Sequence, residues 1–225
     1  MIRVAITTDR YDTASSTYAR LGLEPVPVPC VRVDPAEGDV LAESREAASG
    51  ADILMISSVR TLDLLWPKSP MPRVDVAAVG EMTAAAVAAR GGRVAIAGRS
   101  GLDALIREAA DLLVASRVVF PHAAGSDLSL LQTLRAQVGA LIEFEVYRTV
   151  PMAAIDAPVA AVAFASPSAV EGWLLSRDLE QVVVGVIGRT TGAAVARHRP
   201  PDVVASQPSH TALARAMASY LEVSV

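Results

Sequence analysis

The sequence contains little cysteine, little lysine, few aromatic residues and no long apolar run. Cys30 is the only cysteine among 225 residues, which excludes a disulfide framework and a cysteine-based metal site. No stretch reaches the roughly 18 apolar residues that a membrane-spanning helix requires. The residues after Met1 turn polar before a secretory signal can develop. We therefore expect a cytoplasmic protein without a membrane partner.

Positive charge is also scarce. The formal net charge is -4, which argues against a surface that binds nucleic acid. Lys68 is the only lysine, so 19 of the 20 basic residues are arginines, whose planar guanidinium groups can hold a carboxylate or phosphate with two hydrogen bonds. Codon usage is the simpler explanation of this preference.

Apolar residues make up 52% of the chain, which is enough for one or two packed domains. Short runs rich in valine and isoleucine predict buried strands at 3–6, 53–56, 74–79, 117–120, 159–164 and 182–187. Alanine- and leucine-rich stretches with helical spacing predict helices at 81–90, 101–114, 126–137, 189–197 and 209–221. This alternation predicts an α/β fold with parallel sheets.

The sequence also matches itself at an offset of 108 residues. Two strand-turn-helix stretches, 56–62 and 79–88, align without a gap with 164–170 and 187–196. Shorter segments that begin at Arg3 and Val31 align with segments that begin at Arg117 and Tyr147, at offsets of 114 and 116. We infer two copies, 1–115 and 116–225, which fold as two related lobes around a cleft.

Small hydroxyl and glycine residues follow four of the predicted strands. In a parallel sheet, the carboxyl ends of the strands lie beside helix N-termini, where backbone N–H groups favour anions. The residues are Ser57 and Ser58, Ser166 and Ser168, Gly80 with Thr83, and Gly188 with Thr191. Each serine or threonine is equally well explained as a helix cap. As a set at repeat-equivalent positions, they predict a site that holds anions.

No familiar catalytic constellation is present in the sequence. His122, His198 and His210 lack metal-ligand spacing, and Ser166 is not in a Gly-x-Ser-x-Gly turn. The segment 188–192 lacks the lysine of a phosphate-binding P-loop. We therefore expect neither metal nor nucleotide chemistry. Tyr147 ends an apolar run and is a candidate proton donor, although a tyrosine at a junction between lobes is equally a packing residue.

Taken in order, these segments resemble the uroporphyrinogen-III synthase family over nearly the whole chain. The resemblance is carried by 56–60, 79–84, 146–149, 164–170, 187–191 and 208–213. It implies an enzyme of haem biosynthesis that cyclises a linear tetrapyrrole, hydroxymethylbilane, to uroporphyrinogen III with inversion of ring D and loss of water. It also implies a monomer that uses no cofactor.

The resemblance further implies two flavodoxin-like lobes with parallel sheets, joined by a two-stranded connector, with a cleft between them. Mapped onto this chain, lobe 1 comprises 1–33 with 152–225, and lobe 2 comprises 38–146. The connectors then lie near 34–37 and 147–151. The two sequence copies and the two lobes are therefore expected to be out of phase.

Particular residues acquire roles from the same resemblance. Tyr147 matches the tyrosine that assists departure of the substrate hydroxyl. Hydroxyl residues of the site are matched by Ser58, Thr83, Ser166, Thr190 and Thr191, and Arg10 loosely matches a basic residue after the first strand. With the neighbouring Arg60, Gly80, Ser168 and Gly188, these form the predicted substrate-binding set. Because hydroxymethylbilane carries its own leaving group, positioning is the main task of such an enzyme.

Two other functions remain open from the residues alone. The same scaffold can serve as a non-catalytic regulatory module that binds a tetrapyrrole or another anion, since a fold does not determine a function. A sugar- or phosphate-isomerising enzyme would need an acid–base pair at the strand ends. Asp9 and Glu81 are the obvious candidates for that pair, and Glu81 is better explained as a favourable charge in a first helical turn.

Overall fold

Strands and helices alternate along the chain. The computed structural model describes residues 1–99 and 101–222, which contain eleven strands and ten helices. The strands are β1 Ile2–Ile6, β2 Leu23–Pro27, β3 Val31–Pro35, β4 Ile53–Ile56, β5 Asp75–Val79, β6 Arg93–Gly98, β7 Arg117–Ala123, β8 Ala140–Pro151, β9 Ala161–Phe164, β10 Val183–Val186 and β11 Val203–Val204. The helices are α1 Tyr11–Ala19, α2 Gly38–Ser49, α3 Val59–Leu65, α4 Glu81–Ala88, α5 Gly101–Glu108, α6 Ala110–Leu113, α7 Leu128–Gln137, α8 Pro167–Leu174, α9 Arg189–Ala196 and α10 His210–Tyr220.

The chain divides into two compact units. Unit 1 consists of Met1–Val33 with Thr149–Val225, and unit 2 consists of Asp34–Arg148. The last three residues of the predicted lobe 1, 223–225, lie outside the described residues. The chain passes from one unit to the other within β3 and returns within β8.

Unit 1 contains a five-stranded sheet in the order β11-β10-β9-β1-β2, and its strand pairs are parallel. Strand β9 shows that both faces of this sheet are buried. Val162 and Phe164 pack into one apolar cluster with Trp173, whereas Ala161 and Ala163 pack into another. Because successive side chains of a strand point to opposite faces, a strand with two buried faces is apolar throughout.

Unit 2 contains the strand order β3-β8-β7-β4-β5-β6. The pairs β8/β7, β7/β4, β4/β5 and β5/β6 are parallel, with Ile53 of β4 opposite both Val118 and Asp75. One face of this sheet, including Met55 and Phe120, packs against Leu105 of α5 and Leu134 of α7 in a single apolar cluster. The parallel strands place their carboxyl ends along one edge of the sheet.

The internal repeat is visible in the elements. Strands β4 and β9 start 108 residues apart, and helices α4 and α9 coincide over their whole length at the same offset. The strand orders β8-β7-β4-β5-β6 and β2-β1-β9-β10-β11 then correspond strand by strand. Unit 1 follows the 2-1-3-4-5 order of flavodoxin-like sheets. Each of these five-strand orders therefore combines two strands from one sequence copy with three from the other, and β3 adds a sixth strand to the sheet of unit 2.

The predicted α/β class with parallel sheets is confirmed. Each of the six predicted strands coincides with an observed strand, and the predicted helix 101–114 is divided into α5 and α6. The strands missed by the sequence reasoning are β2, β3, β6, β8 and β11, and the missed helices are α1 and α2. Helices α3 and α8 were predicted only by their starts at Ser58 and Ser166. Strand β2 contains Pro25 and Pro27, which argue against a strand in sequence but are tolerated because β2 lies at an edge of its sheet.

Candidate active site

The carboxyl end of β4 in unit 2 carries the first predicted site residues. Ser58 is the N-cap of α3, and its Oγ accepts a hydrogen bond from the backbone N–H of Arg60 at 3.2 Å. Ser58 is therefore a helix cap, which is one of the two interpretations that the sequence left open. A hydroxyl group that accepts one bond still has its own proton to donate, so capping leaves Ser58 able to bind a carboxylate oxygen.

The next turn along this edge, after β5, is formed by Gly80. This residue is the N-cap of α4 with φ +80°, a left-handed conformation that favours glycine. A Cβ atom built there would have no heavy atom within 4 Å, so the backbone of the turn is open to a ligand. Thr83, the third residue of α4, is buried, with only 5% of its surface exposed.

Tyr147 and Arg60 come together at the same edge of unit 2. Tyr147 lies on β8 opposite Ala123, the last residue of β7, and is 7% exposed. The Arg60 Cζ atom lies 5.7 Å from the centroid of the Tyr147 ring. A guanidinium group at this distance is attracted to the face of the aromatic ring. The structure thus brings the predicted proton donor and a predicted anion-binding residue into direct contact.

In unit 1, the turn after β9 matches the turn after β4. Ser166 is the N-cap of α8, and its Oγ accepts a hydrogen bond from the Ala169 N–H at 3.2 Å. The hydroxyl groups of Ser166 and Ser168 lie 3.1 Å apart and share a hydrogen bond. Pro167 occupies the first helical position, where its missing N–H is no loss.

The turn after β10 matches the turn after β5 less closely. Gly188 is the N-cap of α9 but has an extended backbone, which any residue can adopt, and a Cβ there would meet Pro208 at 3.9 Å. Glycine is therefore not required at this position by the backbone conformation. Thr190 is exposed, whereas Thr191 is 3% exposed and packs inward in the same way as Thr83.

Arg10 lies after the carboxyl end of β1 in unit 1. It is the N-cap of α1, and its backbone N–H donates a hydrogen bond to Thr8 Oγ1 at 3.2 Å. The predicted site residues thus follow the strand ends in both units, except for Tyr147, which lies within β8. The contacts among them include Ser58 with Arg60 and Arg60 with Tyr147 in unit 2, and Ser166 with Ser168 in unit 1.

One polar cluster near this edge of unit 2 was missed from the sequence. His122, on β7, is 3% exposed, and its Nδ1 lies 2.8 Å from the carbonyl oxygen of Ala123. Its Nε2 lies 3.9 Å from Oε1 of Glu143 on β8, and Arg135 of α7 donates a hydrogen bond to the same carboxylate. The register of β7 against β8 creates this cluster, and residue spacing within one segment carries no signal of it.

Neither grouped metal ligands nor a reactive thiol is found among the described residues. Among residues 1–99 and 101–222, no three His, Cys, Asp or Glu side chains are grouped so as to hold a metal ion. Burial raises the pKa of the Cys30 thiol to about 12, which leaves it a poor nucleophile. None of the described helices is both long and apolar enough to cross a membrane.

Comparison with known proteins identifies the family and the fold of this chain. A sequence model of the family described as HEM4, Uroporphyrinogen-III synthase HemD, matches residues 12–215. The chain belongs to the uroporphyrinogen-III synthase family. The family that the motifs resembled is thereby confirmed. No curated protein sequence matches the chain.

Solved structures of uroporphyrinogen-III synthases share the fold. The enzyme from Helicobacter pylori superimposes with a TM-score of 0.67 at 15% identity, over 97% of this chain and 99% of that chain. A mutant of the Thermus thermophilus enzyme gives a TM-score of 0.62 at 16% identity, over 100% of both chains. At these identities the likeness concerns the fold, and the family match carries the activity. The chain is accordingly a cyclising enzyme of haem biosynthesis that acts on hydroxymethylbilane.

Proposed function

We propose that this uroporphyrinogen-III synthase closes hydroxymethylbilane at the carboxyl ends of its strands, with Tyr147 as the proton donor, and that ring D is inverted as water is lost. The observation that carries the proposal is the stacking of the Arg60 guanidinium on the ring of the nearly buried Tyr147. This pair lies at the carboxyl ends of β7 and β4, where a parallel sheet holds its ligands.

The first chemical step is the departure of the substrate hydroxyl. The Tyr147 O–H donates its proton to that oxygen as the carbon–oxygen bond breaks, so that the leaving group is neutral water and the bilane becomes an azafulvenium cation, which gives the azafulvene when its pyrrole N–H loses a proton. The phenolate that remains is stabilised by the positive charge of Arg60, whose Cζ is 5.7 Å from the ring centroid. The exclusion of solvent around Tyr147 strengthens this electrostatic interaction.

The second step is the attack by the substituted α-carbon of ring D, which gives a spirocyclic intermediate and finally the inverted ring. The unaided reaction gives the unrotated isomer, so the protein must hold the bilane in the conformation that leads to attack at this carbon. Positioning of this kind supplies a large part of the barrier reduction. The overall reaction is neither an oxidation nor a reduction, so these residues need no electron carrier.

The carboxylates of the substrate are the groups by which it is held. In unit 2, we assign this role to Ser58, Arg60 and the open Gly80 turn. In unit 1, the corresponding donors are Arg10, Ser166, Ser168, the Gly188 turn and the exposed Thr190. The buried Thr83 and Thr191 support the first turns of α4 and α9 from beneath.

Substitution of Tyr147 by phenylalanine tests the proton-donor assignment. Because general acid catalysis contributes roughly 100- to 10,000-fold, Tyr147→Phe should lower the rate of uroporphyrinogen III formation at least about tenfold. Released azafulvene and unreacted bilane then cyclise spontaneously, so the proportion of the unrotated type I isomer should rise. Addition of Thr191→Val should lower the type III yield further. The products are quantified as separated porphyrin isomers after oxidation.

Tyr220 provides a matched control for this experiment. It is an exposed tyrosine at the end of α10, 53% exposed, and Tyr220→Phe should leave rate and isomer ratio unchanged. If Tyr147→Phe also leaves both unchanged, the assignment is wrong. Tight binding of the bilane without turnover by the unmodified protein would instead favour a regulatory module on the same scaffold.

We also propose that the protein acts as a cytoplasmic monomer. The family resemblance supports both properties, and a single buried Cys30 suits a reducing compartment. Light scattering on the eluting peak of a size-exclusion column measures the mass directly. A mass near 23.4 kDa is expected, and a multiple of it would contradict the monomer.

A further inference from the structure

A cavity of about 610 Å³ lies beside the start of α10 in unit 1. Its polar lining comprises Ser206 and Gln207 from the segment after β11, and Ser209, Thr211 and Arg215 from the start of α10. These side chains offer hydroxyl, amide and guanidinium donors. None of the lining residues carries a negative charge. The chemistry of the lining therefore suits an anion.

The internal repeat shows that the charge of this cavity is specific to unit 1. In unit 2, the position equivalent to Arg215 is Arg107, which forms an ion pair with Asp103 at 2.5 Å. The position equivalent to Asp103 is Thr211, which is uncharged. Among the residues that the structure describes, no carboxylate lies within ion-pair distance of Arg215. The equivalent helices thus present an ion-paired arginine in unit 2 and, among the described residues, an arginine without a carboxylate partner in unit 1.

The space beside the helix also differs between the two units: it is filled in unit 2 and open in unit 1. In unit 2, the residue equivalent to Ser206 is Gly98, where an added Cβ would lie only 3.0 Å from the Leu105 Cβ. The end of β6 is therefore packed directly against α5. In unit 1, Ser206 lines an open cavity instead. At equivalent positions, the two copies thus differ both in the partner of the arginine and in the space beside the helix. The shared fold does not require either difference.

This cavity adjoins a turn already assigned to the substrate. Pro208, within the segment that leads to α10, is the nearest neighbour of a Cβ built on Gly188, at 3.9 Å. Gly188 begins α9 at the carboxyl end of β10, and β11 is the neighbouring strand. Pro208 lies between the lining residues Gln207 and Ser209, so this segment neighbours both the Gly188 turn and the cavity.

We propose that the Arg215 cavity, lined by Ser206, Gln207, Ser209, Thr211 and Arg215, binds a carboxylate arm of the tetrapyrrole substrate. The inference rests on the proposed function, because it names a subsite of that substrate. The Arg215 guanidinium supplies the charge, and the neighbouring hydroxyl and amide groups supply further hydrogen bonds to the carboxylate. Arg215 acts here in binding and has no part in the proton transfer.

Two substitutions test the cavity by different routes. Arg215→Gln removes the charge, and Thr211→Asp keeps Arg215 but introduces the acidic partner that Arg107 has in unit 2. Each should raise the KM for hydroxymethylbilane roughly three- to tenfold, because one charge-assisted contact is lost. Both should leave kcat and the isomer ratio unchanged, since the contact is remote from the reacting carbon.

The equivalent substitutions in unit 2 are the matched controls. Arg107→Gln and Asp103→Thr alter the same helix positions of the other copy, and we expect no change in KM from either. If the wild type turns over the bilane but Arg215→Gln and Thr211→Asp leave KM unchanged, the subsite is wrong and the proposed function stands. An equal rise in KM for the unit 2 variants would also overturn the subsite.

Binding measurements separate the remaining outcomes. If the wild type shows no turnover, the affinity for the oxidised porphyrin octacarboxylate of the product is compared by fluorescence between wild type and Arg215→Gln. Weaker binding by the variant supports the subsite while the enzymatic proposal fails, and equal affinity overturns both. Inorganic phosphate is the probe for a free anion. Saturable binding of phosphate that depends on Arg215, with an unchanged KM for the bilane, would assign the cavity to a free anion and overturn the proposal.

Discussion

Gly172 shows how one residue without a side chain permits two segments to pack. It lies in the middle of α8, where an added Cβ would come within 2.0 Å of the Cys30 carbonyl oxygen and 2.6 Å of the Met152 carbonyl oxygen. These two backbone segments are joined by a hydrogen bond from the Met152 N–H to the Cys30 carbonyl oxygen at 2.8 Å. The helix is therefore in direct contact with main-chain atoms that have little freedom to move.

Gly172→Ala should therefore destabilise the protein. The better helix propensity of alanine contributes at most about 1 kcal/mol, whereas overpacking against backbone should cost roughly 2–3 kcal/mol or more. Gly188→Ala is the control, because its nearest neighbour is 3.9 Å away and its backbone is extended. It should change the free energy of unfolding by less than about 0.5 kcal/mol. Urea denaturation compares the two, and equal stabilities would contradict the argument.

His210 should make stability depend on pH. It packs edge-on against the buried Tyr18 with ring centroids 6.2 Å apart, and its Nδ1 has no hydrogen-bond partner within the described residues. Burial lowers the pKa of His210, so the folded state favours the neutral ring. The unfolded chain then binds more protons near and below its usual pKa of about 6.5, and the free energy of unfolding falls as the pH falls.

Replacement of His210 should reduce the dependence of the free energy of unfolding on pH. Between about pH 7.5 and pH 5.5, His210→Gln should lose less of its free energy of unfolding than the wild type does. His198→Gln serves as the comparison, since His198 is exposed beyond the end of α9. Denaturant titrations of the three proteins at both pH values give the six stabilities needed. A wild-type slope that survives in His210→Gln would assign the pH dependence to other groups.

At the scale of elements, Asp202 joins the end of α9 to strands β10 and β11. Its carboxylate accepts hydrogen bonds from the Val184 N–H at 2.7 Å and from Arg199 at 2.6 Å. The same arginine donates to the carbonyl oxygens of Leu179 and Val182. A carboxylate that is 19% exposed thus satisfies donors from a strand and from the segment after a helix.

Asp202→Ala should lower the free energy of unfolding by about 2–3 kcal/mol, because it leaves a half-buried guanidinium group and a strand N–H without their acceptor. Asp156→Ala is the control. Its fully exposed carboxylate lies 3.8 Å from Arg177, and such pairs contribute little. A loss below about 1 kcal/mol for Asp202→Ala would show that water replaces the carboxylate adequately.

Elements were predictable where their signal is local. Strands β4 and β9 are short apolar runs next to serine caps, and both are found where the pattern predicts them. Strand β8 was not recognised as a strand, since Glu143 and Glu145 interrupt its apolar run. Its first half is half-exposed, and strand pairing with β7 rather than side-chain burial holds it. The apolar pattern of a segment predicts a strand whose side chains are buried. It does not predict a strand that is held mainly by backbone hydrogen bonds to a neighbouring strand.

At the scale of the whole molecule, the two sequence copies exchange strands between the units. The fragment 1–115 contains β4 but lacks β7, which pairs with it, and contains β1 but lacks β9. The fragment 34–148 retains the order β8-β7-β4-β5-β6 and the apolar cluster around Phe120. The unit that packs as a compact body, 34–148, is therefore not the unit that repeats in the sequence, 1–115.

Expression of the two fragments tests this difference. The fragment 34–148 should unfold cooperatively in urea and give a dispersed amide NMR spectrum, because its sheet and core are complete. The fragment 1–115 should do neither, although the two fragments have the same length within one residue. Cooperative unfolding of 1–115, or its absence in 34–148, would contradict the exchange of strands.

The amino-acid sequence by itself determined the α/β class, the repeat, the helix starts at Ser58 and Ser166, and the family. The class and the helix starts depend on residues close together in the chain, through periodicity and capping, whereas the repeat and the family depend on the order of short motifs along the chain. Tertiary structure alone decided that Arg60 stacks on Tyr147, that His122 faces Glu143, and that Arg215 lines a cavity while Arg107 is neutralised. These contacts depend on strand register, helix packing and local geometry, which spacing along the chain does not specify.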